Sequence, residues 1–96
     1  MNKNYRRGYE IERKAVKELK ELGYNAVRTA GSHSPFDVIA WNEDQVRFIQ
    51  IKRSKKYKDP SKTTIKKLMQ EKTPYTASKE IWVWVDRKGF VKCPIW

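Results

Sequence analysis

Cysteine is all but missing from this chain. Cys93 stands alone, so no internal disulfide can form and no cysteine-based zinc site is available, which fits a reducing compartment. Long apolar runs are missing too. The longest, Ile81-Trp82-Val83-Trp84-Val85, falls far short of the roughly 20 residues of a membrane-spanning helix. The N-terminus, Met-Asn-Lys-Asn-Tyr-Arg-Arg, carries charge with no apolar segment behind it, so no signal peptide is expected. Together these absences predict a cytoplasmic protein with no membrane partner. Acids are scarce as well: 11 Asp and Glu stand against 22 Lys and Arg, a formal net charge of +11. A surplus of that size points to a polyanionic partner, and nucleic acid is the foremost one.

With 96 residues the chain is expected to be one domain with one modest core, spanning residues 1–96. Arg6 to Leu22 has helical periodicity. With Ile11 at zero and about 100° per residue, Leu22, Ala15, Leu19 and Val16 fall between about 20° and 140°. Glu12 falls near 100° on the same scale, inside the apolar arc, whereas Glu10, Glu18 and Glu21 are assigned to the far side. An acid facing inward needs a partner or a task. Gly23 then serves as a C-terminal cap.

Beyond the cap, 24–29 reads as a strand and 30–35 as a loop of turn residues. Strands over 36–41 and 46–52 flank the polar turn Asn42-Glu43-Asp44-Gln45, making a hairpin. A basic stretch from Arg53 to Lys58 leads through Asp59-Pro60-Ser61 into a second helix over 61–72, with Ile65, Leu68 and Met69 as its apolar stripe. Strands over 80–86 and 90–95, joined by Arg87-Lys88-Gly89, complete the order helix, three strands, helix, two strands. This is an α/β pattern: a five-stranded mixed sheet flanked by helices.

The chemistry lies in the hairpin. Strand alternation puts Gln50 and Lys52 on one face with Val46 and Phe48, and Ile49 and Ile51 on the other. Asp37 shares a face with Ile39 and Trp41. If the two faces match, Asp37 meets Gln50 and Lys52 at one end of the sheet, and Glu12 joins them if the first helix packs over that same face. Two acids, an amide and an ammonium suit metal-dependent phosphodiester hydrolysis. Magnesium, with manganese as a substitute, takes hard oxygen ligands: the carboxylates of Asp37 and Glu12, the Gln50 amide oxygen and the Ile51 carbonyl. Lys52 would orient the attacking water or stabilise the charged transition state.

These residues resemble a family. Tyr5-Arg6-Arg7-Gly8 with Glu12-Arg13, then Val27-Arg28-Thr29-Ala30-Gly31-Ser32, Phe36-Asp37-Val38-Ile39-Ala40 and Ile49-Gln50-Ile51-Lys52 look like the archaeal Holliday junction resolvases of the PD-(D/E)XK nuclease superfamily. The resemblance runs from Tyr5 to about Lys56. It implies a restriction-endonuclease-like fold, a homodimer, magnesium and symmetrical nicking of four-way DNA junctions in recombination or repair. It makes Glu12, Asp37 and Lys52 catalytic, and sets Arg13, Arg28 and Ser32 on the phosphates near the scissile bond. Gln50 departs from the pattern, since the resolvases usually carry glutamate there; Gln-x-Lys also occurs in active members of the superfamily.

Each residue also has a plainer reading. Asp37 is a strand-start acid, Lys52 a solvated lysine, and Glu12 a structural partner of Arg28 or Arg13. His33, in a polar loop, reads as a solvated bystander or a phosphate contact. Arg53, Lys55, Lys56 and Lys58 form either a soluble face or, being next to the site, a DNA-binding one. Tyr5, Arg6 and Arg7 read as a loose tail or a DNA-contacting arm. The strand from Ile81 to Val85, apolar on both faces, is either a central strand or a dimer surface. Two alternatives to a junction resolvase remain: a nuclease of this fold acting on duplex or single-stranded DNA, and a catalytically silent DNA-binding module.

Overall fold

A computed structural model describes residues 3–29 and 34–95. The first helix, α1 (Lys3–Glu21), begins three residues earlier than its periodicity predicts. Arg6 and Arg7 therefore belong to the helix and not to a separate arm, although their side chains lie outside the described residues. The helix ends where Gly23 takes φ +95°, a conformation that disfavours a side chain. The Gly23 N–H donates to the Lys20 carbonyl and the Tyr24 N–H to that of Leu19, a Schellman closure. Leu22, assigned to the apolar arc, lies beyond the last turn and is exposed. Glu18 also departs from expectation. Seven residues after Ile11 it has completed about two turns and points inward, pairing with Lys92 at 2.6 Å.

Five strands follow in spatial order β1 (Asn25–Arg28), β2 (Val38–Trp41), β3 (Val46–Ser54), β4 (Ser78–Val85) and β5 (Gly89–Pro94). All neighbours are antiparallel except β3 and β4, which run parallel and are joined through α2 (Lys62–Gln70). The hairpin turn between β2 and β3 is held by the Asn42 side-chain oxygen, which accepts from the N–H groups of Asp44 and Gln45. Ser61 caps α2 by accepting from the Thr64 N–H at 3.1 Å.

Each sheet face carries its own apolar layer. Under α1, Ala15 and Leu19 pack on Val38, Ala40, Ile49 and Trp82, and all six are fully buried. Under α2, Leu68 packs with Phe36, Ile81, Val83 and Val85. Thus Trp82 and its neighbours fill the interior of the chain itself: β4 is a central strand covered on both sides. The proposed dimer surface from Ile81 to Val85 is corrected accordingly. Trp84 is only partly buried, yet it too is engaged, edge-on to Phe90 and beneath the Lys14 ammonium.

Three buried or half-buried charges tie these layers together. The Arg47 guanidinium donates twice to Glu80, both bonds 2.7 Å long, across the parallel β3–β4 pair. Glu80 also accepts from Ser78 and the Trp82 indole, so no part of its carboxylate is left bare. Lys79, only 8% exposed, donates to the carbonyls of Met69 and Glu71 and so anchors the C-terminal end of α2. Burial alone would push the Glu80 carboxyl up, but its hydrogen bonds from Arg47, Trp82 and Ser78 outweigh that and hold it below the ordinary carboxylate range.

A depressed folded-state pKa means stability that is present above the ordinary carboxylate value and lost as pH falls through the folded one. Glu80→Gln should therefore cost about 3–5 kcal/mol near neutral pH, because it strands a buried Arg47 charge. Denaturant melts of both proteins from pH 7 downward should show the gap narrowing in acid. A gap independent of pH would mean that the loss is one of packing.

Candidate active site

The hairpin strands part at Asp37. Its backbone N–H still donates to the Ile49 carbonyl at 2.8 Å, and its carbonyl accepts from Thr29. Its side chain then takes over as strand partner: the Ile51 N–H donates to Asp37 Oδ2 at 2.8 Å, where a backbone carbonyl would stand in a continuing ladder. Strand β2 accordingly starts two residues later than predicted, while β3 continues to Ser54 paired with β4 only. In an antiparallel ladder the N–H and C=O of one residue face the same neighbour. The Ile51 carbonyl therefore faces the gap as well.

Glu12 reaches this gap from the α1 side. It does not share a face with Gln50 and Lys52, contrary to expectation: α1 covers the Ile49 face, while Gln50 and Lys52 point toward α2. Asp37 meets both groups because it lies at a strand end, near the plane of the sheet. Continuing the β2–β3 register by one residue sets it opposite Gln50. Glu12 is part-buried and accepts from Arg28 Nε at 3.0 Å, so the partner reading of Glu12 holds in this structure. Arg28 in turn lies over the Tyr9 ring, 4.1 Å from its centre.

Charges converge on Asp37. Burial is the largest influence and raises its carboxyl above the ordinary value; the Ile51 N–H opposes this, nearby Glu12 adds to it, and Lys52 and Arg28 counter it. The Gln50 amide oxygen is buried without a hydrogen-bond partner. Such an orphan is costly unless something else satisfies it. Gln50 and Lys52 open onto a cleft of about 350 Å³ whose far wall is Thr64, Lys67 and Glu71 of α2 and its C-cap. This wall is not legible in the sequence, because nothing in the periodicity of α2 says which residues it turns toward the hairpin.

The remaining basic residues sort differently. Arg13 and Arg28 line a groove beside α1. Arg53 is held by a two-point contact to Asp86, at 3.2 and 3.1 Å, so its charge is partly answered within the chain. Lys55 and Lys56 are exposed just past β3. Ser32 and His33 lie outside the described residues.

No group of three or more His, Cys, Asp or Glu side chains converges among the described residues, so a cation here would rely on amide and carbonyl oxygens besides the two acids. The donor set suits one: a part-buried carboxylate, an orphaned amide oxygen and a carbonyl facing a gap are hard ligands of the kind magnesium takes.

A mixed sheet that splits at an acid, with a lysine two residues beyond an amide on the neighbouring strand, is the architecture of a nuclease domain. The chain belongs to the archaeal Holliday junction resolvase family, whose model matches residues 3–89. It is thus a nuclease that hydrolyses DNA at four-way junctions. Its fold is similar to that of a Holliday junction resolvase, Hjc, from the archaeal hyperthermophile Archaeoglobus fulgidus. The TM-score is 0.77 at 24% identity, over 93% of this chain and 73% of that one. Among the described residues no helix is long and apolar enough to cross a membrane.

One test needs no activity assay. Because the folded-state pKa of Asp37 is raised, its ionisation opposes folding; the penalty is absent below the ordinary carboxylate value and complete above the folded one. An amide oxygen can still accept from Ile51. In buffer free of divalent cations, Asp37→Asn should melt above the wild type near neutral pH and with it in acid. A variant that melts lower at neutral pH would show that the charge is favourable in the empty site.

Proposed function

We propose that the chain cuts four-way junctions as a magnesium-dependent homodimer, with Glu12, Asp37, Gln50 and Lys52 as its catalytic set. The observation that carries this reading is the buried, unpartnered Gln50 oxygen beside a carboxyl that burial has raised. Both are unfavourable in an empty site and both are relieved by a bound cation. Asp37, Glu12, the Gln50 amide and the Ile51 carbonyl would hold it. A divalent cation supplies a water of lowered pKa and offsets charge on the phosphate.

The chain's own groups do the rest. The Ile51 N–H fixes one Asp37 oxygen and leaves the other to face the gap. Arg28 fixes the Glu12 carboxylate in orientation. The Lys52 ammonium, exposed at the mouth of the cleft, would bind a non-bridging phosphate oxygen as negative charge builds there. Arg6, Arg7, Arg13, Arg28, Ser32, Arg53, Lys55 and Lys56 would bear the DNA backbone around it. Binding of this kind is strongly salt-dependent and largely indifferent to sequence.

Asp37→Asn and Lys52→Ala should each slow cleavage by at least about 10²-fold while leaving junction affinity within a few-fold of wild type. Gln50→Glu should keep or raise activity by adding a charge to the cation site. Cleavage of junction, duplex and single-stranded DNA with magnesium, manganese or EDTA checks all three. Lys52→Ala cutting at the wild-type rate would remove the proposed site; preferential cutting of duplex or single strands would support another substrate; tight binding with no cutting would support a silent module.

A junction resolved productively needs two symmetric incisions, and each chain offers one such cleft, so a two-fold pair is expected. Light scattering at micromolar concentration should give twice the monomer mass. A monomer that still nicks two opposed strands in one binding event would contradict the pairing.

A further inference from the structure

The groove beside α1 begins at the site and runs away from it. Arg28 belongs to both, pairing with Glu12 in the site and lining the groove. From there a stripe of α1 faces the opening: Tyr9, Arg13, Val16, Lys17 and Lys20 recur at helical spacing along one side. The opposite side is β1, an edge strand, with Ala26 at the floor and Val27 exposed. The whole is an open trough of about 990 Å³.

Its charge is one-sided. Arg13, Lys14, Lys17, Lys20 and Arg28 line it against Glu10 and Glu21 only. Arg28 is committed to Glu12 and Lys14 leans over Trp84, which leaves Arg13, Lys17 and Lys20 as the cations of the rim. These three are exposed and span about 10 Å of helix, roughly three phosphate steps along a duplex axis. A second copy of this chain, itself at +11, is repelled by such a rim.

We propose that this trough is a track for the DNA strand leaving the cleavage site, with its phosphates on Lys17 and Lys20. The inference rests on the junction-cutting reading above and extends it to one arm of the substrate. The floor is apolar and the rim cationic, so the trough follows the sugar-phosphate backbone and reads no sequence. It gives the enzyme a grip on an arm beyond the scissile phosphate.

The test uses the full chain with Lys17→Ala and Lys20→Ala combined, and Lys66→Ala with Lys72→Ala as a charge-matched control from the α2 side. Junction affinity is measured in EDTA across a salt series, on junctions whose arms are shortened stepwise. The Lys17/Lys20 variant should bind long-armed junctions more weakly and lose about 0.9 of salt slope per lysine, more than the control loses. As the arms shorten, its deficit should vanish, because the track is then empty in both proteins. A deficit that persists on the shortest arms, or one no larger than the control's, would overturn the track, as would a change in oligomeric mass. Cleavage with magnesium is scored separately: a track without cutting would refute the nuclease reading alone, and cutting without arm dependence the track alone.

Discussion

One hydrogen bond organises the hairpin half of this molecule. The Ile51 N–H reaches the Asp37 carboxylate where the sheet calls for a backbone carbonyl, and β2 and β3 separate from that point. A carboxylate satisfies the strand donor while breaking the ladder, so the gap opens without leaving that N–H bare. The same substitution brings an acid, a backbone carbonyl and the start of a cleft together. The fold and the candidate site therefore share a cause: the acid whose side chain ends the ladder is the one proposed for the site.

The surrounding structure keeps that edge in place from both sides. On one face α1 delivers Glu12, and Arg28 holds it there. On the other, α2 walls the cleft, and α2 is itself anchored through Lys79, whose ammonium takes up two carbonyls at the helix end. Lys79 and Glu80 are neighbours on β4 and point to opposite faces, one clamping α2 and the other binding Arg47 beneath α1. Two adjacent charged residues in an otherwise apolar strand thus anchor both layers.

Much of this was legible in the sequence. The order of seven elements follows from alternation and periodicity, and a position inside the apolar arc of α1 singles out Glu12. The Gly23 cap and the polar hairpin turn were equally local. What escaped depends on contacts between distant segments. Arg47 and Glu80 lie 33 residues apart and meet only through the parallel register of β3 and β4. Which face α1 covers is not legible either, because strand alternation groups Asp37 with Gln50 and Lys52 but does not say that α1 packs on the opposite, Ile49 face. Trp82 and Trp84 were open to two readings because apolarity on both faces of a strand does not say whether the cover comes from the same chain.

The order of the sheet has a kinetic consequence. Three of the four neighbouring strand pairs are joined by local connections, and the segment from α1 to β3 carries every proposed catalytic side chain. The exception is the parallel seam, where β4 must return past α2 to lie beside β3. Closing that loop costs entropy before any contact rewards it, so docking of this seam is the natural rate-limiting event of folding. Until it occurs, Arg47 has no Glu80, α2 has no Lys79, and the hairpin that bears the nuclease motif has an open edge. The chain therefore completes the cleft between β3 and α2 last, only after its two halves have met.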